Sequence, residues 1–349
     1  MAAITKERTS GRGGKGGAVT YQPTGVICLI QPWDFPLRRP ARVLAADLIA
    51  GNGCTLKPAG TCTGSDLQLR GLCIEPGLPV DLVQVILIGH DVSDMLMGHS
   101  KVRGVTMTGS DAADRHIDAT AAKALIKTVL ELGSKDAYPV PEDGGFETAV
   151  KYSVTGRLYN NGETCVPAKC LIVTDMAYDA FTAAFVDQRQ EIRMGDPMKK
   201  DSQPGPLSSQ EQFGTVKKLV EKSAGLGAKM LCGDEVPTGG GANYPAAVLA
   251  GLKPGMPACD DQMLGTVVST IRAKDDADAM RLANESRCGL GAGIFPQDGQ
   301  RALELGRRHL GTGMIRVNSF GAADPNMPLG GVKDSGCGRE PGGFGMRNS

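Results

Sequence analysis

The chain has 349 residues, and at roughly 150 residues per domain this length predicts two domains. Lys plus Arg and Asp plus Glu number 38 each, so the formal net charge is zero, which argues against a nucleic-acid-binding surface. Hydrophobic residues make up 41% of the chain and none of their runs approaches a membrane span, which predicts a globular protein with a sizeable core. The first residues lack the apolar stretch of a secretory signal, which predicts a cytoplasmic location.

From residue 24 onwards, apolar runs alternate with amphipathic stretches. The runs predict strands at Gly25–Ile30, Thr55–Lys57, Leu82–Ile88, Val102–Met107 and Thr128–Leu132. The stretches between them predict helices at Arg39–Ala50, Ser65–Ile74 and Asp111–Ile126. This alternation, with short turns rich in Gly, Pro and Ser, predicts a parallel α/β sheet that binds ligands at the carboxyl ends of its strands.

A second alternating series begins near Ala137. It predicts helices at Phe146–Tyr159, Gln210–Ser223 and Asp275–Ala283, and strands at Cys170–Val173, Val267–Ile271 and Met314–Val317. We therefore predict two α/β domains with parallel sheets, at residues 18–133 and 134–327. They are flanked by a flexible Gly-rich tail at 1–17 and by a Gly-rich C-terminal segment at 328–349 that is too irregular for a sheet.

The glycines near the N-terminus and the spacing of the cysteines argue against two kinds of binding site. Gly11, Gly13 and Gly16 fit the G-x-G-x-x-G pattern, but no predicted strand precedes them, so we interpret them as part of the tail. The ten cysteines form no Cys-x-x-Cys pair and have no His at zinc-finger spacing, which argues against a metal site and favours reduced, buried thiols.

Two features at predicted strand ends suggest a nucleotide site. Lys57 ends a strand before Pro58, where its ammonium would bind a ribose or a phosphate, although a solvated surface Lys is equally compatible with the pattern. Gly109 and Ser110 lead into a predicted helix, whose free N–H groups favour a phosphate, although an ordinary capped helix has the same sequence.

Two further residues carry reactive groups. Glu131 lies inside an apolar strand, where burial would raise its pKa towards that of a general base, unless the residue is on an exposed edge. Cys165 follows the polar loop Asn160–Thr164. That context is unusual for a core cysteine and suggests a reactive thiol.

Six ordered segments of the sequence resemble the aldehyde dehydrogenase superfamily, and the resemblance runs from about Tyr21 to Arg347. The segments are Gln31–Pro36, Leu56–Ala59, Met107–Ser110, Leu130–Gly133, Asn161–Cys165 and Pro328–Glu340. Leu48–Gly53 and Gly321–Asp324 look most like the bacterial NAD(P)-dependent succinate-semialdehyde dehydrogenases. The resemblance implies an aldehyde dehydrogenase-like fold with a variant dinucleotide-binding domain and a catalytic domain, and a small-molecule aldehyde as substrate.

The resemblance also implies roles for individual residues. Cys165 would attack the aldehyde, a hydride would pass to NAD or NADP, and Glu131 would activate the water that hydrolyses the thioester. Lys57 would hold the adenosine ribose, and Gly109 and Ser110 the pyrophosphate. The remaining residues expected beside the cofactor are Ile30, Trp33, Gly60, Leu132, Gln262 and Leu264.

The sequence departs from the family pattern at several of these positions. Asp34 replaces an Asn whose amide donates to the oxyanion, and an ionised Asp has no proton to donate unless burial keeps it protonated. Gln262 replaces a Glu that binds the nicotinamide ribose, and Leu264 replaces a Phe. At Gly60 an acidic residue would disfavour the 2′-phosphate of NADP, so the Gly leaves the choice between NAD and NADP open.

The termini are the last departure. Family members have roughly a hundred further residues, most of a domain, before the position of Ala18, and a further strand beyond Ser349. We therefore expect exposed apolar surface and a weakened form of the family's homo-oligomer.

Three hypotheses follow. The first is an NAD(P)-dependent succinate-semialdehyde dehydrogenase, in which Arg157 would face the substrate carboxylate unless it is a surface residue. The second is a catalytically impaired or non-catalytic homologue with a binding or structural role. The third is a cofactor-free thiol hydrolase that uses Cys165, although none of the four histidines lies in a recognisable Cys-His motif.

Overall fold

The computed structural model describes residues 8–12, 15–200, 203–237, 241–340 and 345. The chain forms two compact units. The first comprises residues 1–132, 323–330 and 336–349, and the second comprises 133–322 and 331–335. The main division therefore lies beside the boundary expected near residue 134, whereas the C-terminal segment is divided between the two units.

Elements of the first unit alternate along the chain. The strands are β1 (Arg8–Arg12), β2 (Lys15–Val19), β3 (Val26–Ile30), β4 (Gly53–Lys57), β5 (Val83–Val85), β6 (Val102–Thr108) and β7 (Lys127–Glu131). The helices are α1 (Arg38–Ile49), α2 (Thr63–Ile74), α3 (His90–Met97) and α4 (Asp111–Lys123), with a 3₁₀ turn at Gly60–Cys62.

The second unit continues the alternation. Its strands are β8 (Ala137–Val140), β9 (Cys170–Thr174), β10 (Lys229–Cys232), β11 (Val248–Ala250), β12 (Val268–Ala273), β13 (Cys288–Gly289), β14 (Gly291–Ile294), β15 (Met314–Val317) and β16 (Val332–Lys333). Its helices are α5 (Phe146–Leu158), α6 (Asp175–Gln190), α7 (Gln210–Gly225), α8 (Pro257–Asp260), α9 (Asp276–Asn284) and α10 (Gly299–His309), with a 3₁₀ turn at Tyr159–Gly162. Strand β17 (Gly336–Cys337) returns to the first unit.

The first unit is built on a six-stranded sheet in the order β17-β7-β6-β3-β4-β5. Its strands are parallel except for β17, which pairs antiparallel with β7. Successive residues of β3 face opposite sides, so that Cys28 lies in one hydrophobic cluster and Ile27 in another. Because both faces are covered, the central strand β3 (Val26–Ile30) is apolar throughout. Strand order reverses between β3 and β6, and such a switch point forms a crevice for ligands at the carboxyl ends of the strands.

The second unit is built on a seven-stranded sheet in the order β10-β11-β12-β9-β8-β14-β15. Its strands are parallel except at β10, which runs antiparallel to β11. All five residues of β9 are buried, as expected for a central parallel strand covered on both faces. Strand order reverses between β8 and β14.

The structure corrects two predictions for the ends of the chain. Strands β1 and β2 pair antiparallel, with Gly11 opposite Gly16, so this part of the segment expected to be a flexible tail is a hairpin. Gly13 and residues 1–7 lie outside the described residues. The C-terminal segment was expected to be too irregular for a sheet, yet β16 pairs with β13 and β17 extends the six-stranded sheet. Both corrections have one cause, because strand pairing uses backbone groups and requires no apolar side-chain pattern.

Most of the predicted strands and helices are present with ends shifted by a few residues. The strand expected at Leu82–Ile88 is limited to Val83–Val85, and the helix expected at Asp111–Ile126 ends at Lys123. Among the described residues, no helix combines the length and apolar character that crossing a membrane would require.

Candidate active site

The carboxyl edge of the six-stranded sheet gathers four residues expected to bind the cofactor or act in catalysis. Ile30 pairs with Lys57 across the ends of β3 and β4. Glu131 ends β7, and its carbonyl accepts a hydrogen bond of 3.1 Å from the N–H of Gly109. The edge is also where the switch point between β3 and β6 lies, so the first unit places these residues where doubly wound sheets bind nucleotides.

Two further positions offer room for a ligand. Ser110 is the residue before α4, its side chain makes no capping hydrogen bond, and it is exposed. Gly60 begins the 3₁₀ turn after β4, and no atom lies within 4 Å of where its Cβ would be. A 13-residue helix that begins at this edge directs N–H groups and a positive dipole end towards an anion.

Trp33 and Leu132 differ in exposure. Trp33 is half-buried after β3, and its carbonyl accepts a hydrogen bond of 3.7 Å from Cys62 Sγ. Leu132 is buried in the hydrophobic cluster that also contains Cys28. Trp33 therefore offers some surface to a ligand, whereas Leu132 mainly packs the sheet.

Glu131 is almost completely buried, with 1% of its surface exposed. Neither carboxylate oxygen has a hydrogen-bond partner among the described residues. Burial and, to a lesser extent, the charge of Glu340 raise the pKa of Glu131, three arginines led by Arg42 oppose the rise, and the resulting pKa is about 8. A carboxyl of this kind is protonated at neutral pH and becomes a base as the pH rises.

Asp34 is engaged in an ion pair. Its Oδ2 accepts a hydrogen bond of 2.7 Å from Arg39, and the side chains are 8% and 4% exposed, respectively. An ionised carboxylate paired with a guanidinium accepts hydrogen bonds and donates none. The Asp34 carboxyl is thus held by a cation, whereas oxyanion binding needs a group that donates a hydrogen bond.

In the second unit, Cys165 follows a tightly constrained loop. Asn160, Asn161 and Gly162 have φ values of 51°, 55° and 71°. A Cβ on Gly162 would lie 1.9 Å from the carbonyl oxygen of Gly265, so only glycine fits there. Asn residues tolerate the left-handed region better than most others, which explains why this polar sequence forms the loop.

Neighbouring loops hold the Cys165 loop in place. Asn161 Oδ1 accepts from the N–H of Gly205 at 3.0 Å, and the Glu163 carboxylate accepts from the N–H of Ser208 at 2.9 Å. Cys165 itself is 9% exposed and packs with Val166 and Leu290. The thiol is therefore carried by a segment whose backbone is fixed on both sides.

Lys169 is a functional candidate that the sequence analysis missed. Its fully buried ammonium donates to the carbonyl of Cys165 at 2.5 Å. With its amide oriented to suit these donors, Gln262 accepts from Lys169 Nζ at 3.3 Å and from the N–H of Ser134 at 3.2 Å. Lys169 thus connects the backbone of the predicted nucleophile with a predicted cofactor residue. The only sequence signal was a lysine directly before an apolar strand.

A buried carboxyl accompanies this lysine. Burial lowers the pKa of Lys169, whereas the charge of Asp136 raises it. Burial likewise raises the pKa of Asp136, and Lys169 and the N–H of Gly291 oppose that rise. The opposite charges compensate part of the cost of burying each group.

Leu264 and Arg157 lie near the same loops. Leu264 is half-buried, and its carbonyl accepts from Gln212 Nε2 at 2.6 Å. Arg157 is fully buried, and its guanidinium donates to the carbonyls of Met263, at 2.9 Å, and of Gly265. These contacts favour a structural role for Arg157 over the expected contact with a substrate carboxylate.

Within the described ranges, His, Cys, Asp and Glu side chains form no group of three that could hold a metal ion. The first unit thus provides a sheet edge of the kind that binds nucleotides, and the second provides a fixed loop that carries a thiol.

Comparison with known proteins identifies the class to which these features belong. The sequence matches the aldehyde dehydrogenase family over residues 1–348, and the chain belongs to that family. Its fold is the aldehyde dehydrogenase fold, as the resemblance predicted.

Within the aldehyde dehydrogenase family, the chain is similar to several succinate-semialdehyde dehydrogenases. The chain is 37% identical over 328 residues to the succinate semialdehyde dehydrogenase [NAD(P)+] Sad of Escherichia coli K12, covering 94% of this chain and 71% of that one. It is 34% identical to succinate-semialdehyde dehydrogenase [NADP(+)] 1 of Mycobacterium ulcerans, covering 97% and 74%. The structure of succinic semialdehyde dehydrogenase from Streptococcus pyogenes in complex with NADP+ matches with a TM-score of 0.96 at 30% identity, covering 99% of this chain and 76% of that one.

Proposed function

We propose that this protein oxidises succinate semialdehyde to the carboxylic acid with NAD or NADP. The observation that carries the proposal is the fixed loop that presents Cys165, in a chain whose relatives are succinate-semialdehyde dehydrogenases. In this proposal Cys165 is the nucleophile and Glu131 the general base. The cytoplasmic location remains a prediction of the sequence.

The carboxyl edge of the first sheet fits a dinucleotide. Lys57 would hold ribose hydroxyls, and the N–H groups at Gly109 and Ser110 would hold the pyrophosphate. The space beside Gly60 accommodates either a ribose hydroxyl or a 2′-phosphate. Bound there, NAD(P)+ supplies the acceptor for a hydride. We assign Ile30, Trp33, Gln262 and Leu264 to positions beside the cofactor.

Cys165 would attack the aldehyde carbon as a thiolate and form a thiohemiacetal, which becomes a thioester when the hydride leaves. The contact between Lys169 and the Cys165 carbonyl places a positive charge next to the nucleophile's backbone and helps to fix its position. Fixed orientation of the attacking atom lowers the entropic part of the barrier.

Glu131 would take a proton from the water that hydrolyses the thioester. Its raised pKa makes the ionised form a stronger base than an exposed Glu, because basicity increases with pKa. The same shift keeps most of the carboxyl protonated at neutral pH, so hydrolysis of the thioester should accelerate as the pH rises towards 8.

Purified protein, NAD+ or NADP+ and succinate semialdehyde provide the direct test. We expect NAD(P)H to form, and the Cys165→Ala variant to form none. Cys232→Ala, which removes a buried thiol at the end of strand β10, is the matched control and should retain activity. Equal activity in the wild type and in Cys165→Ala would show that the assigned nucleophile is wrong.

The ion pair between Asp34 and Arg39 specifically favours a second candidate, a homologue that binds cofactor but reacts slowly or not at all. This candidate predicts that NAD(P)+ raises the thermal midpoint while no NAD(P)H forms. A homologue with a purely structural role would show no thermal shift, because only a ligand that binds the native state stabilises it.

A further inference from the structure

The second unit contains a cavity lined by two thiols and an amine. Cys170, Cys259 and Lys135 contribute to its wall, together with the acidic residues Asp260 and Glu285. Neither Cys165 nor Gln262 is among the lining residues. The cavity is therefore separate from the residues to which the proposed oxidation is assigned.

Sheet register and hydrogen bonds bring the two thiols to one place. Cys170 at the start of β9 is the register partner of Ser269 in β12, and partners on adjacent strands direct their side chains to the same face. Ser269 Oγ donates to the carbonyl of Ala258 at 2.8 Å. Cys259 follows Ala258 in the short helix α8 and packs against the hydrophobic cluster that contains Cys170.

Lys135 supplies a positive charge beside the pair. It is buried, and its ammonium donates to Ser269 Oγ at 3.3 Å and to the carbonyl of Ala258. Burial raises the pKa of both thiols, and the lysine opposes that rise in each case. The net pKa of both thiols nevertheless stays raised, to about 12 for Cys259. The lysine therefore reduces, but does not remove, the cost of forming the thiolate that attacks a disulfide.

The two thiols differ in accessibility. Cys170 is 5% exposed, whereas Cys259 is half-buried. A reagent entering the cavity therefore meets Cys259 first, and Cys170 is placed behind it as a second thiol. This is the arrangement of an attacking cysteine with a neighbouring resolving cysteine.

We propose that Cys259 and Cys170 form a dithiol site for small disulfides. The Cys259 thiolate attacks one sulfur of the disulfide, forms a mixed disulfide and releases one thiolate. The Cys170 thiolate then attacks Cys259 Sγ, forms the Cys170–Cys259 bond and releases the second thiolate. Two protein thiols are oxidised, the small disulfide is reduced to two thiols, and the protons lost by the cysteines pass through solvent to the leaving thiolates. The acidic residues at the cavity favour a cationic disulfide such as cystamine.

The test uses folded Cys165→Ala protein, so that the predicted nucleophile does not react, treated with cystamine and analysed by peptide mass mapping. At these two positions we expect the loss of both free thiols, a Cys170–Cys259 linked peptide and no retained cysteamine, whereas the exposed Cys337 should take up cysteamine independently. In a Cys170→Ser background the reaction should stop at a cysteamine adduct on Cys259. In a Cys259→Ser background Cys170 should remain reduced.

Cys28 and Cys54 are the matched internal control. They lie on neighbouring strands β3 and β4, but in hydrophobic clusters on opposite faces of the sheet, so they should not become linked while the protein is folded. Three results would overturn the proposal. The first is a cysteamine adduct that persists on Cys259 while Cys170 stays reduced. The second is that Cys170 and Cys259 both remain unmodified. The third is a link between Cys28 and Cys54, which would show that oxidation proceeds through unfolding.

Discussion

Glu131 illustrates how a residue suited to catalysis reduces stability. Its carboxyl is buried, and its pKa is about 8, compared with about 4.3 for a Glu in an unfolded chain. Between these values the native state retains a proton that the unfolded state has lost, so the free energy of unfolding falls as the pH rises. The loss is complete above the native pKa and absent below the unfolded one.

Glu131→Gln removes this titration. We expect the variant to exceed the wild type in free energy of unfolding by on the order of 2 kcal/mol above about pH 8, and to match it near pH 4. Urea unfolding at a series of pH values measures the difference. Exposed Glu147 provides the control, because Glu147→Gln should change stability little at any pH. If the free energies of unfolding of Glu131→Gln and the wild type differed by the same amount at every pH, titration of Glu131 would not be the cause.

Asp34 differs from Glu131 because its carboxylate should slow the proposed reaction rather than assist it. Asp34→Asn provides an amide donor where the carboxylate has none, and one oxyanion donor is worth about 10²–10³ in rate. We expect the initial burst of NAD(P)H with succinate semialdehyde to become at least about tenfold faster. Asp34→Ala likewise loses the ion pair with Arg39 but gains no donor, so it should show no acceleration. If the Asn and Ala variants formed NAD(P)H at equal burst rates, residue 34 would not contact the oxyanion.

At the scale of elements, the sequence predicts strands and helices best where side chains alone define them. Strand β9 is apolar throughout and was predicted to within a residue, whereas β8 and β14 were missed. Pro139 lies in β8, and β14 contains two glycines, which weaken a strand signal. Their interior positions in the seven-stranded sheet come from pairing with neighbours, which a local pattern does not contain.

The candidate site shows the same limit. Lys57 stood out at a predicted strand end and Glu131 stood out as a carboxylate inside an apolar strand, because the strand pattern is local. The contact of Lys169 with Gln262 joins residues far apart in the chain, and no spacing predicts it. Arg157 was expected to face the substrate carboxylate because it lies eight residues before Cys165, and no local pattern indicates that its guanidinium is buried.

The loop before Cys165 allows a prediction about an element. Gly162→Ala would force a Cβ against the carbonyl of Gly265 at a φ of 71°. We expect a loss of about 2 kcal/mol or more in the free energy of unfolding, with slower alkylation of Cys165 by iodoacetamide.

The control for this change lies in α7. Gly214 is inside that helix and has no atom within 4 Å of its Cβ position, so Gly214→Ala should increase stability by about 0.5–1 kcal/mol. Denaturant unfolding measures both variants. If Gly162→Ala were as stable as Gly214→Ala, the loop would have room to relax, and its rigidity would not explain the position of Cys165.

At the scale of the whole molecule, the two units use opposite edges of their sheets. In the first, the predicted cofactor residues follow the carboxyl ends of β3, β4 and β6. In the second, Lys169 directly precedes β9 and Asp136 directly precedes β8. The buried charged pair that contacts the Cys165 backbone through Lys169 therefore lies at the amino ends of these strands. One chain thus combines a nucleotide edge, where helix N-termini favour phosphates, with an edge where buried side chains hold a thiol loop.

Cofactor selection can therefore be tested through the stability of the whole chain. A ligand at 100 times its dissociation constant stabilises the native state by about 2.7 kcal/mol, and we expect both NAD+ and NADP+ to raise the thermal midpoint by several degrees. Gly60→Glu should abolish the shift with NADP+ and preserve the shift with NAD+, because its carboxylate would repel the 2′-phosphate. Gly64→Glu, in equally open space in α2, should retain both shifts. If Gly60→Glu lost the thermal shifts with both cofactors while Gly64→Glu kept them, Gly60 would lie beside the ribose itself. If Gly60→Glu kept both shifts, Gly60 would not belong to the cofactor site.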